Sequence, residues 1–282
     1  MELYSIPTGN FKLDGGAMFG VVPKSMWNKV YPSDDNNLIP LAMRCLLVVD
    51  GDRKILIDNG IGDKQVEKFF GHYHLYGEDS LEKSLIKVGL KPEDITDIFL
   101  THLHFDHVGG SIKRKSNGNE YEPTFPNAIY RISRPQWEWA INANLREKAS
   151  FLNENILPIA ESGRLQLFDG PTELFPGFRV RIYNGHTMGQ AIPFIDYKGT
   201  KVVFMADTIP TSAHIPLPYI MSYDIQPLVS LREKEAFLNE AVDEGFVLFF
   251  EHDVFSECCT LKRTEKGIRI KSTARLDEIF KE

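Results

Sequence analysis

This chain of 282 residues has no long apolar run and no run of basic residues. No segment reaches the length that spans a bilayer, so a membrane-embedded protein is not expected. Residues 1–10 do not pair a basic start with an apolar stretch, so no secretory leader is expected either. The net charge is −7, with no basic cluster. Phosphate backbones and anionic membrane surfaces are held chiefly by Lys and Arg, so neither nucleic acid nor membrane is an expected partner. Cysteine is scarce: Cys45, Cys258 and Cys259 are too few for a disulfide framework and stand at no metal-ligand spacing. Cys45 lies in an apolar strand and reads as a buried thiol. A reducing, cytoplasmic setting follows as the expectation. Linkers, internal repeats and low-complexity segments are missing too. The whole chain, 1–282, is expected to form one domain with a large core.

Histidine is also sparse, with eight in all, yet three of them stand in Thr101-His102-Leu103-His104-Phe105-Asp106-His107. Imidazole nitrogen and carboxylate oxygen are the donors that zinc-like divalent cations prefer. Three further donors follow at wide intervals: His186 in Gly-His-Thr, Asp207 in Met-Ala-Asp-Thr, and His252 in Glu-His-Asp. A closed structural site needs four ligands, and seven exceed that. The set suits two metals that share a carboxylate and a water. His102 and His104 can pair with His186, Asp106 and His107 with His252, and Asp207 can bridge.

Apolar patterning places these donors. Residues 44–49 and 54–57 predict paired strands around the turn Asp50-Gly51-Asp52. Residues 81–88 have helical spacing, with Gly89 set to stop them. Residues 97–101 read as a buried strand that delivers the histidine run. The Gly-, Ser- and Lys-rich stretch 111–119 reads as an exposed loop, 129–132 as a strand, and 135–152 as one helix with Trp137 and Trp139 near its start. In the second half, 178–183, 191–197, 201–205 and 246–250 read as strands and 231–243 as a helix. The histidine run, His186, Asp207 and His252 each follow the end of a predicted strand, where α/β folds place their chemistry. His72 and His74 have ligand spacing but no evident partners, and read as an exposed insertion.

The pattern resembles the metallo-β-lactamase fold hydrolases. His102, His104, Asp106 and His107 match their HxHxDH motif, His186 their GHT segment, Asp207 the aspartate after the next strand and His252 the late histidine. The likeness spans residues 41–253. It implies an α/β fold, an αββα sandwich of two mixed sheets flanked by helices, with two Zn²⁺ ions per chain. Asp58, in Ile-Asp-Asn-Gly, resembles an aspartate that the family keeps behind its metal ligands. His104 stands where flavin-linked iron members have Glu, and Asp207 where lactam-hydrolysing members have Cys. Residues 13–24 (LDGGAMFGVVPK), followed by Trp27, and residues 205–214 (MADTIPTSAH) resemble the quorum-quenching lactonase branch, which opens N-acyl-homoserine lactones. One departure is Pro210, where a lactonase subgroup has a Tyr that polarises the substrate carbonyl. His214, Tyr219 and Tyr223 are the candidate substitutes.

The resemblance implies a dinuclear zinc hydrolase of a carbonyl ester, most simply a lactone, acting by attack of a metal-bridging hydroxide. Asp106 and Asp207 are the expected catalytic carboxylates, Asp106 also carrying the proton to the leaving group. Met18, Phe19, Trp27 and Phe105 read either as core packing or as the lining of an acyl pocket, His214 either as a surface-loop residue or as one that meets the substrate or supports the site, and Tyr223 as a candidate to meet the substrate. The partner is then a small molecule, and the protein a monomer or homodimer. Rival readings are a thioesterase like glyoxalase II, which calls for a cationic pocket; a phosphotriesterase like methyl-parathion hydrolase; and a non-catalytic metal-binding or sensing protein.

Overall fold

The computed structural model describes residues 1–281 except Asn117 and Asn119. The chain divides into two compact units, Met1–Asn10 with Met43–Gly170 and Phe11–Ala42 with Pro171–Glu282.

The strands of the first unit are β1 (Glu2–Asp14), β2 (Leu38–Asp50), β3 (Arg53–Ile57), β4 (Asp97–Phe99), β5 (Ile112–Arg114), β6 (Tyr121–Pro123), β7 (Ile129–Ser133) and β8 (Leu165–Phe168). β1 and β2 run on into the second unit. Six of the strands form a sheet in the order β1-β2-β3-β4-β7-β8. β2 and β3 are antiparallel around the predicted turn, where Gly51 takes φ +60°. β3, β4, β7 and β8 are parallel neighbours, which requires crossover connections. The helix Leu81–Lys87 lies in one of these; Ser80 caps its start by accepting from Lys83 N, and Gly89, at φ +76°, follows its end. β4 is wholly buried, as a central parallel strand should be, and its one carboxylate, Asp97, is paired with Arg131 at 2.7 Å. Leu47, Leu56, Ile98, Tyr130 and Ile132 anchor the core.

Two predictions for this unit need correction. Residues 112–114 and 121–123 pair as an antiparallel hairpin, so the expected loop is shorter than 111–119; its Asn117 and Asn119 lie outside the described residues. The helix expected over 135–152 ends at Ile141, and the next helix, Asn153–Glu161, starts only past the end of the expected span. Asn142 leaves helical geometry, and Asn144 instead folds its side-chain oxygen onto the backbone N–H groups of Arg146 and Glu147.

The second unit holds β9 (Thr172–Phe175), β10 (Phe178–Tyr183), β11 (Gln190–Tyr197), β12 (Thr200–Phe204), β13 (Val247–Phe249), β14 (Cys258–Thr264) and β15 (Gly267–Ala274). They form one sheet in the order β15-β14-β13-β12-β11-β10-β9. All neighbours are antiparallel except β12 and β13, which the helix Pro227–Glu244 connects. That helix opens with Pro at its first position and stops at Gly245 in the left-handed conformation. Residues 11–42 add two short helices, Gly15–Phe19 and Lys24–Trp27. Two mixed sheets with accompanying helices agree with the expected α/β class. Among the described residues no helix is long and apolar enough to cross a membrane.

Candidate metal centre

In the first unit the histidine run leaves β4 and turns into the short helix Phe105–Val108. Asp58, just past β3, is buried at φ +54°. Its Oδ1 accepts from Thr101 N at 2.8 Å; its Oδ2 accepts from Thr101 Oγ1 at 2.7 Å and faces His107 Nδ1 at 3.0 Å. With the Thr101 hydroxyl donating to Asp58, its oxygen is left to accept from His102 Nδ1, 3.0 Å away. His102 Nε2 then faces His104 Nδ1 at 3.1 Å. His107 Nε2 lies 3.8 Å from Asp106 Oδ2. The backbone behind the run is fitted closely: a Cβ on Gly109 would stand 2.0 Å from the Ile61 carbonyl oxygen. Buried Lys64 donates its ammonium to the Gly109 carbonyl, and burial pushes that ammonium down to about 8.

In the second unit His186 sits in the loop after β10. The helix Pro227–Glu244 and the residues before it hold this loop. Glu233 accepts from the N–H groups of Asn184 (2.8 Å) and Gly185 (2.9 Å), and Asp224 Oδ1 takes His186 Nδ1 at 2.9 Å. His252, past β13, gives its Nδ1 to the Ala42 carbonyl at 2.8 Å and sets its ring at 69° to that of Phe11. Asp207 follows β12, and Ala206 before it takes φ +41°. Its Oδ2 is 3.1 Å from His186 Nε2 and its Oδ1 3.1 Å from His252 Nε2. Burial alone would depress the His186 imidazole, but the Asp207 and Asp224 carboxylates outweigh it and raise it to about 10. That carboxylate pair makes the loop attractive to a cation.

One rule covers all five imidazoles. Each gives one nitrogen to a protein oxygen and turns the other toward a neighbouring donor. For His102, His107, His186 and His252 the outward nitrogen is Nδ1. For His104 it is Nε2, which lies 3.4 Å from Glu147 Oε1. In the neutral ring, holding the outer N–H fixes the tautomer and leaves a lone pair inward, as ligation of a zinc-like cation requires; at His186 a cation would take the place of the inner proton. Donor chemistry and geometry within each unit therefore fit such ions. Sequence reading missed the holders Asp224 and Glu147, which are isolated acids with no spacing signal. It also missed Asp253, which accepts from Ser212 N, Phe255 N and Ser256 N and so braces the segments beside His252.

The expected acyl pocket needs correction. Met18, Phe19 and Trp27 are 2%, 0% and 1% exposed and belong to the core. Phe19 stacks on Trp27 (5.1 Å, 12°) and on His214 (4.5 Å, 5°). His214 lies neither on a surface loop nor open to a substrate. It is 1% exposed, with Nδ1 2.7 Å from Thr211 Oγ1 and Nε2 2.9 Å from the Met18 carbonyl. Burial drives its imidazole down to about 3, so it stays neutral. Tyr223 is 41% exposed. Phe105 lies beside the metal donors, its ring against Phe69 (5.4 Å) and Tyr73 (4.5 Å). His72 and His74 are exposed, as read from the sequence.

Residues 40–252 match the Metallo-beta-lactamase superfamily model, and all seven donors fall within that span. An N-acyl homoserine lactonase of Bacillus cereus is 28% identical over 91% of this chain and 94% of its own length. A probable metal-dependent hydrolase from Staphylococcus aureus superposes with a TM-score of 0.89 at 31% identity, covering 97% of this chain and 96% of that one. AidC, described as a dizinc quorum-quenching lactonase and solved with its product, superposes at 0.78 and 26% identity over 97% and 95% of the two chains. Ligand motif, strand-end placement and coverage agree, and the chain belongs to the metallo-β-lactamase superfamily.

Proposed function

We propose that this protein is a dinuclear, zinc-dependent hydrolase that opens a carbonyl ester, with an N-acyl-homoserine lactone as its substrate. In this reading units one and two act as a single hydrolase domain. Unit one would contribute His102, His104, Asp106 and His107 as donors, and unit two His186, Asp207 and His252, with Asp207 as the bridge. The observation that carries the proposal is the common arrangement of the five imidazoles, each with one nitrogen held by a protein oxygen. A protein that had lost its metal would have no reason to keep five separate holders. The lactonase relatives, similar over nine-tenths of the chain, support the substrate class.

These donors would hold two divalent cations, whose chemistry when bound would be to provide a nucleophile at neutral pH and to polarise the ester carbonyl. The chain's own residues do the rest. Asp207 offers one oxygen to each side, so that one carboxylate orders two ligand groups. Asp58 fixes Thr101 and His107 together and so sets the pitch of the histidine run. Asp106, nearly buried, carries the proton to the departing alkoxide. With Met18, Phe19 and Trp27 enclosed, the acyl chain is left to Phe105, Phe69 and Tyr73, whose rings form an apolar surface beside the donors.

The test is a hydrolysis screen of the zinc-loaded protein against homoserine lactones, a glutathione thioester and a phosphotriester, with zinc content measured on the same sample. Lactones are expected to give the highest kcat/KM. Faster thioester turnover would move the assignment to the glyoxalase-like rival. Absence of turnover with two metals bound would favour a sensing role.

A further inference from the structure

The stretch between the helices Arg134–Ile141 and Asn153–Glu161 wraps the second histidine of the motif. Asn144 Oδ1 accepts from Glu147 N at 3.1 Å, and Asn144 Nδ2 donates to Glu147 Oε2 at 2.8 Å. Trp139 Nε1 donates to the same Oε2 at 2.7 Å. The carboxylate is buried at 4% exposure, with Oε1 turned to His104 Nε2 at 3.4 Å. Phe151 sets its ring 4.9 Å from the His104 ring, and the Ser150 carbonyl accepts from Phe105 N at 3.0 Å. A continuous helix over 135–152 would have paired these backbone groups with one another.

We infer that Glu147 is a positioning residue for metal binding: it selects the His104 tautomer with the proton on Nε2 and the lone pair on Nδ1, and turns that nitrogen toward His102. This rests on the metal-centre reading above and adds to it a residue that the ligand motif does not contain. The chemistry is particular to His104, the one imidazole whose inward nitrogen is Nδ1. A buried carboxylate costs free energy unless it is fully hydrogen-bonded, and Trp139 and Asn144 supply the two bonds that hold its far oxygen. The near oxygen is thereby aimed, and its negative charge makes the imidazole a stronger donor.

The experiment compares wild type, Glu147→Gln, Glu147→Asp and Trp139→Phe. Zinc affinity and stoichiometry come from chelator competition, and the visible absorption of cobalt-substituted protein and the Tm of metal-free protein are also recorded. Glu147→Gln is expected to weaken one zinc by about 10- to 100-fold and to shift the cobalt spectrum. Trp139→Phe should do the same more mildly, because it frees the carboxylate without removing its charge. Glu147→Asp keeps the charge but withdraws it by one methylene, and should fall between wild type and Glu147→Gln. Metal-free Tm reports folding separately, so an affinity loss in a variant of unchanged Tm belongs to the site. Unchanged affinity and an unchanged cobalt spectrum in Glu147→Gln would overturn the inference while leaving a two-zinc wild type intact. Failure of wild type itself to bind two metals would instead overturn the reading on which it rests.

Discussion

Asp207 faces two imidazoles at equal distance, one with each oxygen, and in the proposed reading each oxygen would be a cation ligand. Asparagine has one oxygen and would aim an N–H at one of the cations. Asp207→Asn is expected to lose about one zinc per chain and roughly 100-fold in activity, as elemental analysis and kinetics on the same sample would show. Retention of both metals and full rate would remove the bridge. His214 gives a different prediction. Its folded value of about 3 lies below the ordinary 6.5, so as pH falls the unfolded chain takes up this proton first. The stability His214 contributes is present above pH 6.5 and lost progressively between 6.5 and 3, at most about 1.4 kcal/mol per pH unit. Denaturant unfolding of metal-free protein at several pH values should show a shallower acid decline in His214→Gln than in wild type. Parallel curves would sink the idea. The donors were legible in the sequence because three histidines and an acid within six residues have no ordinary structural use. The residues that aim them were not: Asp224 stands 38 positions from His186, and Glu147 43 from His104. Nothing local marks either acid. For Trp27 and Phe19 the sequence leaves core and pocket both open, because an aromatic near a site and an aromatic in a core look alike in sequence, and the structure places both in the core.

The elements that deliver the donors were readable in proportion to their apolar content. β10 falls where its pattern placed it, and β4 and β13 near theirs, because buried strands demand unbroken apolar residues. β14 and β15 escaped notice; both carry Lys, Arg and Thr, β15 forms the sheet edge, where charge is tolerated, and β14 is exposed over its last three residues. The helix expected over 135–152 failed for a local reason: side-chain bonding by Asn144 competes with the backbone ladder, and helical periodicity does not register it. The loop of His186 depends on an absent side chain. A Cβ on Gly185 would stand 2.3 Å from Ser230 Oγ and 2.4 Å from Ser230 N. Gly185→Ala should therefore cost about 1–3 kcal/mol in unfolding free energy and weaken zinc binding. Adding Ser230→Gly should not restore it, because the backbone nitrogen remains in the way. A stable Gly185→Ala with normal zinc affinity would show that the helix can yield.

In the proposed reading, the donors within each unit couple metal binding to the folding of that unit, because they come from segments well apart in sequence. Chelation of the zinc-loaded protein is expected to lower Tm by more than about 5 °C, and added zinc to restore it. A Tm indifferent to chelator would mean that the donors are occupied weakly or not at all. At this scale, too, chain-length preference separates pocket from core: kcat/KM should rise with acyl length until Phe69, Tyr73 and Phe105 are covered, and Phe69→Ala should flatten the rise. The stack of Trp27, Phe19 and His214 has a consequence for biosynthesis. Its members are separated by nearly two hundred residues, and a ribosome adds about 5–20 residues per second. The two aromatic rings therefore leave the exit tunnel on the order of ten seconds or more before the imidazole that covers Phe19 has been made. During that interval a nascent chain displays Met18, Phe19 and Trp27 as an open apolar segment. Pausing between codons 27 and 214 would lengthen the exposure, so the yield of this protein should depend on translation speed and on chaperones that hold emerging chains.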